Sequence, residues 1–171
     1  FPKWTCLSLI VERLKQMFDL NASTSEIAAH LGSAPCLKPI VNALPGLRVP
    51  GAWDGFELAV RTILGQQVSV TAATRMAGRL VQTYGKPLQE KLHEKLQQDQ
   101  SQLTHLFPQP IALVEADLTH IGLTPNRSKA INALAARCVT EPDFFSRFSD
   151  LDDAVAQLTQ LPGIGDWTAQ Y

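Results

Sequence analysis

The sequence carries almost no net charge. Fifteen lysines and arginines stand against 16 aspartates and glutamates, which leaves a formal net charge of −1 at pH 7. Proteins that coat nucleic acid through a broad electrostatic footprint are strongly basic, so the composition excludes that mode of binding. Any contact with nucleic acid must instead depend on a few cations and on local backbone amides.

Cysteine and histidine are also scarce. Cys6, Cys36 and Cys138 are widely spaced and form no C-x-x-C pair, so neither a disulfide scaffold nor an iron–sulfur cluster is expected. The four histidines lack the spacing of zinc ligands, so we expect no metal site. No apolar run approaches the ~18 residues of a membrane span and no signal peptide opens the chain, which predicts a cytoplasmic protein without a membrane partner.

Helical periodicity recurs along the chain, whereas convincing strand alternation does not. The predicted fold class is therefore all-α. We expect a helical segment over residues 1–50 that leads into a larger helical domain over residues 51–171. Residues 87–107 are rich in glutamine and lysine, which predicts an exposed helix or a partly mobile excursion, and residues 111–116 predict a short helix.

Cap residues mark where several of these helices begin. Ser23 and Glu26 have the spacing of a capping box. Ser69 is expected to cap a helix that ends near residue 84, and Thr124 with Pro125 is expected to begin another that runs to about residue 138.

A helical hairpin at residues 151–171 is the most informative feature of the sequence. We expect a helix, a turn of four or five residues containing Pro162-Gly-Ile-Gly165, and a second helix. The two glycines leave backbone N–H groups uncovered by any Cβ atom, next to a helix start. Unpaired amides in such a position attract anions, which predicts a phosphate site. We therefore expect the N–H groups of Gly163 and Gly165 to have no acceptor within the protein.

Two stretches together resemble the helix-hairpin-helix DNA glycosylase superfamily. The first is the hairpin, and the second is the run GLRVPGAWDGFELAVRTILGQQVSV at residues 46–70. Their order and separation are similar to those of the alkylation-repair branch, the 3-methyladenine DNA glycosylase II family. The resemblance implies an incomplete glycosylase domain that flips alkylated purines out of double-stranded DNA and excises them in base excision repair. Residues 117–125 repeat the small-residue turn weakly and could form a second corner against a DNA strand.

The resemblance assigns the DNA phosphate to the hairpin turn. The amides of Gly163, Gly165 and Ala169 are expected to face one phosphate, and the Thr168 hydroxyl is expected to reach the same anion. Asp166 works against this site, because a carboxylate repels a phosphate. No cofactor is required, and one monovalent cation at the hairpin is allowed. Its expected ligands are the backbone carbonyls of Thr159, Leu161 and Ile164.

Trp167 occupies the position at which bifunctional glycosylase/lyases carry a nucleophilic lysine. Because indole has no amine, the resemblance implies a monofunctional enzyme whose nucleophile is water. Trp167 and Tyr171 are expected to form a stacking wall for a cationic methylated purine. Gln66 and Trp53 are expected to line the same base pocket, and Gln67 matches the wedge that fills the gap left by the flipped base.

No catalytic residue is identified in the chain, because the family pattern places the aspartate beyond Tyr171. The chain begins with Phe1 and residue 171 falls within a helical pattern, so we expect a piece of a longer protein, cut within the second hairpin helix and inactive alone. Some relatives in this branch are fused to a methyl-transferring transcriptional regulator. The resemblance therefore allows a fusion of this kind in the full-length protein.

Three interpretations remain open at this point. The chain is a piece of a monofunctional alkylpurine DNA glycosylase, a non-catalytic helix-hairpin-helix module that only positions DNA, or an α-helical interaction domain. In the third interpretation the glycines serve a tight turn, Trp167 packs in a core, and the glutamines at 66 and 67 are ordinary polar turn residues.

Overall fold

The computed structural model describes residues 6–89 and 103–171, and these residues are mainly helical. The predicted all-α class is therefore confirmed. The chain divides into two compact units, Phe1–Asp54 and Gly55–Tyr171. The sequence placed this boundary at residue 50, within the irregular link that precedes the second unit.

Three helices form the described part of the N-terminal unit: α1 (Leu7–Met17), α2 (Thr24–Leu31) and α3 (Lys38–Ala43). None of them carries a fully buried residue. Ser23 precedes α2, but the expected capping box does not form, because the Ser23 hydroxyl pairs with that of Ser25 at 3.3 Å.

The end of this unit folds back onto the segment that follows α1. The guanidinium of Arg48 donates to the carbonyl oxygens of Asp19 and Ala22. The Gly51 amide donates to the Met17 carbonyl at 2.9 Å. An added Cβ at Gly51 would lie 2.9 Å from the Gln16 carbonyl oxygen, so only glycine allows this close approach.

The second unit is built from helices on either side of a long connection. Its first two are α4 (Gly55–Gly65) and α5 (Val70–Tyr84), and its later ones are α6 (Pro125–Thr140), α7 (Leu151–Leu158) and α8 (Asp166–Gln170). Both predicted caps are confirmed. The Ser69 hydroxyl accepts from the Ala72 amide at 3.2 Å, and the Thr124 hydroxyl accepts from the Arg127 amide at 3.4 Å.

The core of this unit surrounds α4, which packs against α5, α6 and α8. Val60, Ile63 and Leu64 on α4 are completely buried. Burial of side chains of this size stabilises the fold by about 1.5–3 kcal/mol each. The remaining fully buried large side chains come from the elements around α4: Leu80, Leu113, Leu118, Ile131, Leu134 and Phe144.

Two connections differ from the sequence prediction. The expected helix over 111–116 is only a 3-10 turn at Pro110–Ala112, because Leu113 leaves the turn to enter the core. Pro87 and His105 form an isolated antiparallel bridge, with the Leu88 amide donating to the Thr104 carbonyl at 2.9 Å. The predicted excursion over 87–107 lies partly outside the described residues.

Candidate nucleic-acid interface

The hairpin places α7 and α8 on either side of a seven-residue turn, residues 159–165. The expected length of four or five residues was too short, because the connection contains two successive bends. The Leu161 amide donates to the Leu158 carbonyl at 3.0 Å, and the Ile164 amide donates to the Leu161 carbonyl at 3.3 Å. Ile164 is the one buried residue of the turn and anchors it to the core.

Two amides in this turn are open. The N–H groups of Gly163 and Gly165 donate to no acceptor in the described part of the chain, and both residues are exposed. The prediction of unpaired donors is confirmed. The two glycines nevertheless differ. Gly163 has φ +77° and an added Cβ would lie 3.1 Å from the Cβ of Ala130, whereas an added Cβ at Gly165 would meet nothing within 4 Å.

The third expected donor is already used. The Ala169 amide donates to the Gly165 carbonyl at 3.0 Å, so the structure does not support its assignment as a phosphate contact. The physical reason is position: Gly165 is the N-cap of α8, and the fourth residue after an N-cap makes the first intrahelical bond. The amides of Trp167 and Thr168, which precede it, have no such acceptor.

The carbonyl groups expected to hold a monovalent cation belong to the same turn. Leu161 accepts the Ile164 amide, while the carbonyl oxygens of Thr159 and Ile164 accept no hydrogen bond from the described residues. Oxygen donors of this kind suit a hard monovalent cation, so the residues fit the expected ion. Its presence stays a prediction.

Gln66, at the end of α4, is bonded to the hairpin. Its Nε2 donates to the Gly163 carbonyl oxygen and to the Thr168 hydroxyl oxygen, each at 2.9 Å. Gln66 was expected to face a base, but its side-chain amide contacts the hairpin turn instead. No local pattern indicates this contact, because it joins residues about a hundred positions apart.

Gln67, the expected wedge, has a backbone conformation rare for a side chain of its size. Its φ is +53° and its side chain is exposed. Non-glycine residues with positive φ carry local strain, and such strain is concentrated at functional sites. The wedge role stays a prediction that this geometry favours.

Gln66 and Gln67 lie beside the hairpin turn at a groove of about 840 Å³. The guanidinium of Arg127 donates to the backbone carbonyl of Gln66, so Arg127 holds the α4–α5 turn. The other lining residues are Val68, Thr124, Asn126, Gly163, Trp167 and Thr168. No carboxylate lines the groove among the residues that the structure describes.

A second cavity of about 380 Å³ lies between α4, α5 and the aromatic side chains of Trp167 and Tyr171. The rings of Trp167 and Tyr171 are 5.6 Å apart and tilted by 33°. They are 65% and 71% exposed, so neither ring is buried in the core of the described residues. Most of the remaining lining is small or apolar: Leu58, Arg61, Thr62, Gly65, Val68, Val70, Ala73, Thr74 and Ala77.

Trp53 belongs to the N-terminal unit, where the guanidinium of Arg13 lies 5.3 Å above its ring. Its assignment to the base pocket stays a prediction.

The turn at residues 117–125 does not present a second set of open amides. The Gly122 amide donates to the Thr119 carbonyl at 2.9 Å, and the Leu123 amide donates to the Leu118 carbonyl at 3.3 Å. The Thr119 amide donates to the Asp117 carboxylate at 2.9 Å. Hydrogen bonds from the Thr119 side chain and backbone lower the Asp117 pKa below its ordinary value. The expectation of a second strand-contacting corner is therefore not supported.

Within residues 6–89 and 103–171, no cluster of three or more histidine, cysteine, aspartate or glutamate side chains has the arrangement of a metal site. None of the helices in these ranges is both long enough and apolar enough to cross a membrane.

Comparison with known proteins gives matches to both units. Residues 1–54 match the AlkA N-terminal domain family. The chain is 38% identical over 158 residues to the "Probable bifunctional transcriptional activator/DNA repair enzyme AlkA" of Mycobacterium tuberculosis, covering 92% of this chain and 30% of that protein. It is 33% identical over 162 residues to "DNA-3-methyladenine glycosylase 2" of Escherichia coli, covering 93% of this chain and 52% of that protein. The chain thus spans about half or less of these two relatives.

Solved structures share the fold. The 3-methyladenine DNA glycosylase from Archaeoglobus fulgidus superposes with a TM-score of 0.71 at 20% identity, over 98% of this chain and 55% of that one. MBOgg1 in complex with a low-affinity DNA ligand superposes with a TM-score of 0.70 at 21% identity, over 95% of this chain and 54% of that one.

Proposed function

We propose that this chain is part of a helix-hairpin-helix DNA glycosylase, and that the full-length protein excises alkylated purines from double-stranded DNA. The proposal is supported by the match of residues 1–54 to the AlkA N-terminal domain family and by the similarity to the two relatives. The observation that carries this proposal is the exposed pair of Trp167 and Tyr171 beside the open amides of the hairpin turn. One surface thus offers a stacking wall for a base and donors for a phosphate.

The hairpin turn would hold the DNA backbone. Its open amides and the Thr168 hydroxyl are neutral donors, so they suit a protein with almost no net charge. The described α8 has five residues, and its dipole adds little to the site. Hydrogen bonds to a charged phosphate contribute about 1.5–3 kcal/mol each, which is enough for a local grip.

The aromatic pair would hold the flipped base. A purine methylated on a ring nitrogen is cationic, and a cation over an indole face gains about 1–2 kcal/mol when it is desolvated. The cavity beside Trp167 is lined mostly by apolar groups, which favours this desolvation. Such a base is already a good leaving group.

The nucleophile would be water. Trp167 provides no amine for a Schiff base, so we propose a monofunctional reaction that leaves an uncleaved abasic site. No carboxylate lines either cavity in the described ranges, and the chain spans only part of its relatives. We therefore place the catalytic carboxylate beyond Tyr171 in the full-length protein.

Replacement of Trp167 tests the assignment of the stacking wall. In the full-length protein, Trp167→Ala should lower the rate of methylated-purine release about tenfold, because a stacking contact of 1–2 kcal/mol is lost. Its affinity for undamaged duplex should change much less, since backbone contacts are separate from base contacts. Trp167→Phe keeps a ring and should recover part of the release rate. Equal loss of release and of duplex binding would instead give Trp167 a structural role.

Strand scission separates the enzyme classes. Full-length protein should release 3-methyladenine from alkylated duplex and leave the strand intact, whereas residues 1–171 alone should release no base. The measurement is chromatography of the free base, with strand nicking scored on a denaturing gel. A borohydride-trapped adduct would contradict the monofunctional assignment. Duplex binding by the full-length protein without base release would favour the non-catalytic DNA-binding module.

A further inference from the structure

We propose that Gln66 is a positioning residue, which turns the Thr168 hydroxyl so that its proton is available to a DNA phosphate. This inference rests on the proposed function for the identity of the anion. Its structural basis is the pair of hydrogen bonds from Gln66 Nε2, to the Thr168 hydroxyl oxygen and to the Gly163 carbonyl oxygen, both 2.9 Å long.

The direction of the bond to Thr168 is fixed by chemistry. The Gly163 carbonyl only accepts hydrogen bonds, so the Gln66 atom that contacts it is the amide nitrogen. The same nitrogen has a second proton for Thr168, and the hydroxyl oxygen accepts it. A hydroxyl group that accepts through its oxygen keeps its own proton free to donate.

Other threonines in the chain show what Thr168 would otherwise do. Thr62 and Thr74 donate their hydroxyl protons to the carbonyl oxygens four residues earlier, each at 2.9 Å. Thr140 and Thr159 make the same kind of bond, at 3.1 and 2.7 Å. Thr168 donates to no acceptor among the residues that the structure describes. Its hydroxyl oxygen instead accepts a hydrogen bond from Gln66, and the hydroxyl proton has no acceptor among those residues.

Gln66 is itself held in place. The backbone carbonyl of Gln66 accepts a hydrogen bond from the guanidinium of Arg127, and its backbone N–H donates to the Ile63 carbonyl at 3.3 Å. The bond to the Gly163 carbonyl fixes the peptide that joins Gly163 to Ile164, whose N–H donates to Leu161 at 3.3 Å. The carboxamide therefore joins the fixed end of α4 to the hairpin turn, which carries the open amides of Gly163 and Gly165.

A double-mutant cycle in the full-length protein tests this role. The dissociation constant for undamaged duplex is measured for wild type, Thr168→Val, Gln66→Met and the double variant. Thr168→Val should weaken binding about tenfold, because one hydrogen bond to a charged group is lost. Gln66→Met keeps the side-chain length without a donor, so the Thr168 hydroxyl is no longer held with its proton directed to the phosphate. Thr168→Val should therefore have little further effect in that background.

The expected result is strong coupling. The double variant should bind duplex at most about twofold more weakly than Gln66→Met alone. Independent effects, which multiply to about a hundredfold, would overturn the inference while leaving base release by the wild type, and hence the proposed function, intact. Thr140→Val provides the control, because this threonine bonds its own helix and should show no coupling to Gln66.

Gln66→Glu covers the case in which Gln66→Met does not fold. The carboxylate has the same size, cannot donate, and would take the Thr168 proton for itself. In that background Thr168→Val should again cause little further loss of duplex affinity. An undiminished tenfold loss would overturn the inference. Wild-type protein that neither releases a base nor binds duplex would overturn both the proposed function and this inference.

Discussion

Two turns in the second unit share a left-handed glycine but use their backbone amides in opposite ways. Gly122 has φ +88° and Gly163 has φ +77°, and each turn leads into a helix. Around Gly122 the backbone N–H groups donate to neighbouring carbonyls and to the Asp117 carboxylate. Around Gly163 they remain open to solvent. A helix–turn–helix pattern alone therefore does not make an anion site; unused donors do.

The space around the glycines separates the two turns in the same way. An added Cβ at Gly122 would lie 2.8 Å from Arg79 Nη1, the far end of a flexible side chain. An added Cβ at Gly165 would meet no protein atom within 4 Å, and the backbone there (φ −98°, ψ 175°) suits any residue. The positive φ at Gly122 favours glycine, whereas the described residues impose no such requirement at Gly165.

The largest expected effect comes from Gly165→Ala. Its thermal stability should stay within about 0.5 kcal/mol of wild type, because alanine fits this backbone. Its affinity for duplex DNA should fall about tenfold, because a methyl group would hold the phosphate away from the open amides. Calorimetry and fluorescence anisotropy on the full-length protein measure the two quantities. Unchanged duplex affinity would remove the hairpin turn from the DNA contact.

Gly122→Ala should give the reverse outcome. Alanine at positive φ costs about 1–2 kcal/mol, while the Arg79 side chain can move aside. The melting temperature should therefore fall and the duplex affinity of the folded protein should stay within about twofold of wild type. Loss of affinity without loss of stability would restore the second turn as a DNA contact.

A smaller effect is expected from pH. The Asp117 pKa is lowered in the folded protein, so the ionised carboxylate stabilises the fold fully at pH values above its ordinary pKa of 3.8. This contribution is lost as the pH falls through the lower pKa of the folded state. Asp117→Asn should flatten the decline of melting temperature below about pH 4. Asp152→Asn, whose side chain makes no hydrogen bond in the described ranges, serves as the matched control. Identical acid profiles for wild type and Asp117→Asn would contradict the role of the carboxylate in closing this turn.

Features set by neighbouring residues could be predicted from the sequence. Ser69 and Thr124 cap their helices because the acceptor lies three residues from its donor. The open amides at 163 and 165 follow from the turn itself. The capping box predicted at Ser23 does not form, because Ser25 competes for the Ser23 hydroxyl.

Features that depend on tertiary contacts could not be predicted in this way. The bonds from Gln66 to Gly163 and Thr168 require α4 and the hairpin to meet, and no local pattern encodes that meeting. The engagement of Ala169 depends on which residue serves as the N-cap, and a shift of one position would free a different amide. The open amides of the turn could thus be predicted from the sequence, whereas the hydrogen bonds that join the turn to α4 could not.

The most direct test observes the amides themselves. In full-length protein labelled with [¹⁵N]glycine and titrated with duplex DNA, the N–H resonances of Gly163 and Gly165 should shift or broaden, since both donors are open. The Gly122 resonance should stay in place, because its donor is already bonded to Thr119. A shift of Gly122 with unmoved Gly163 and Gly165 would contradict the assignment of the hairpin turn as the phosphate contact.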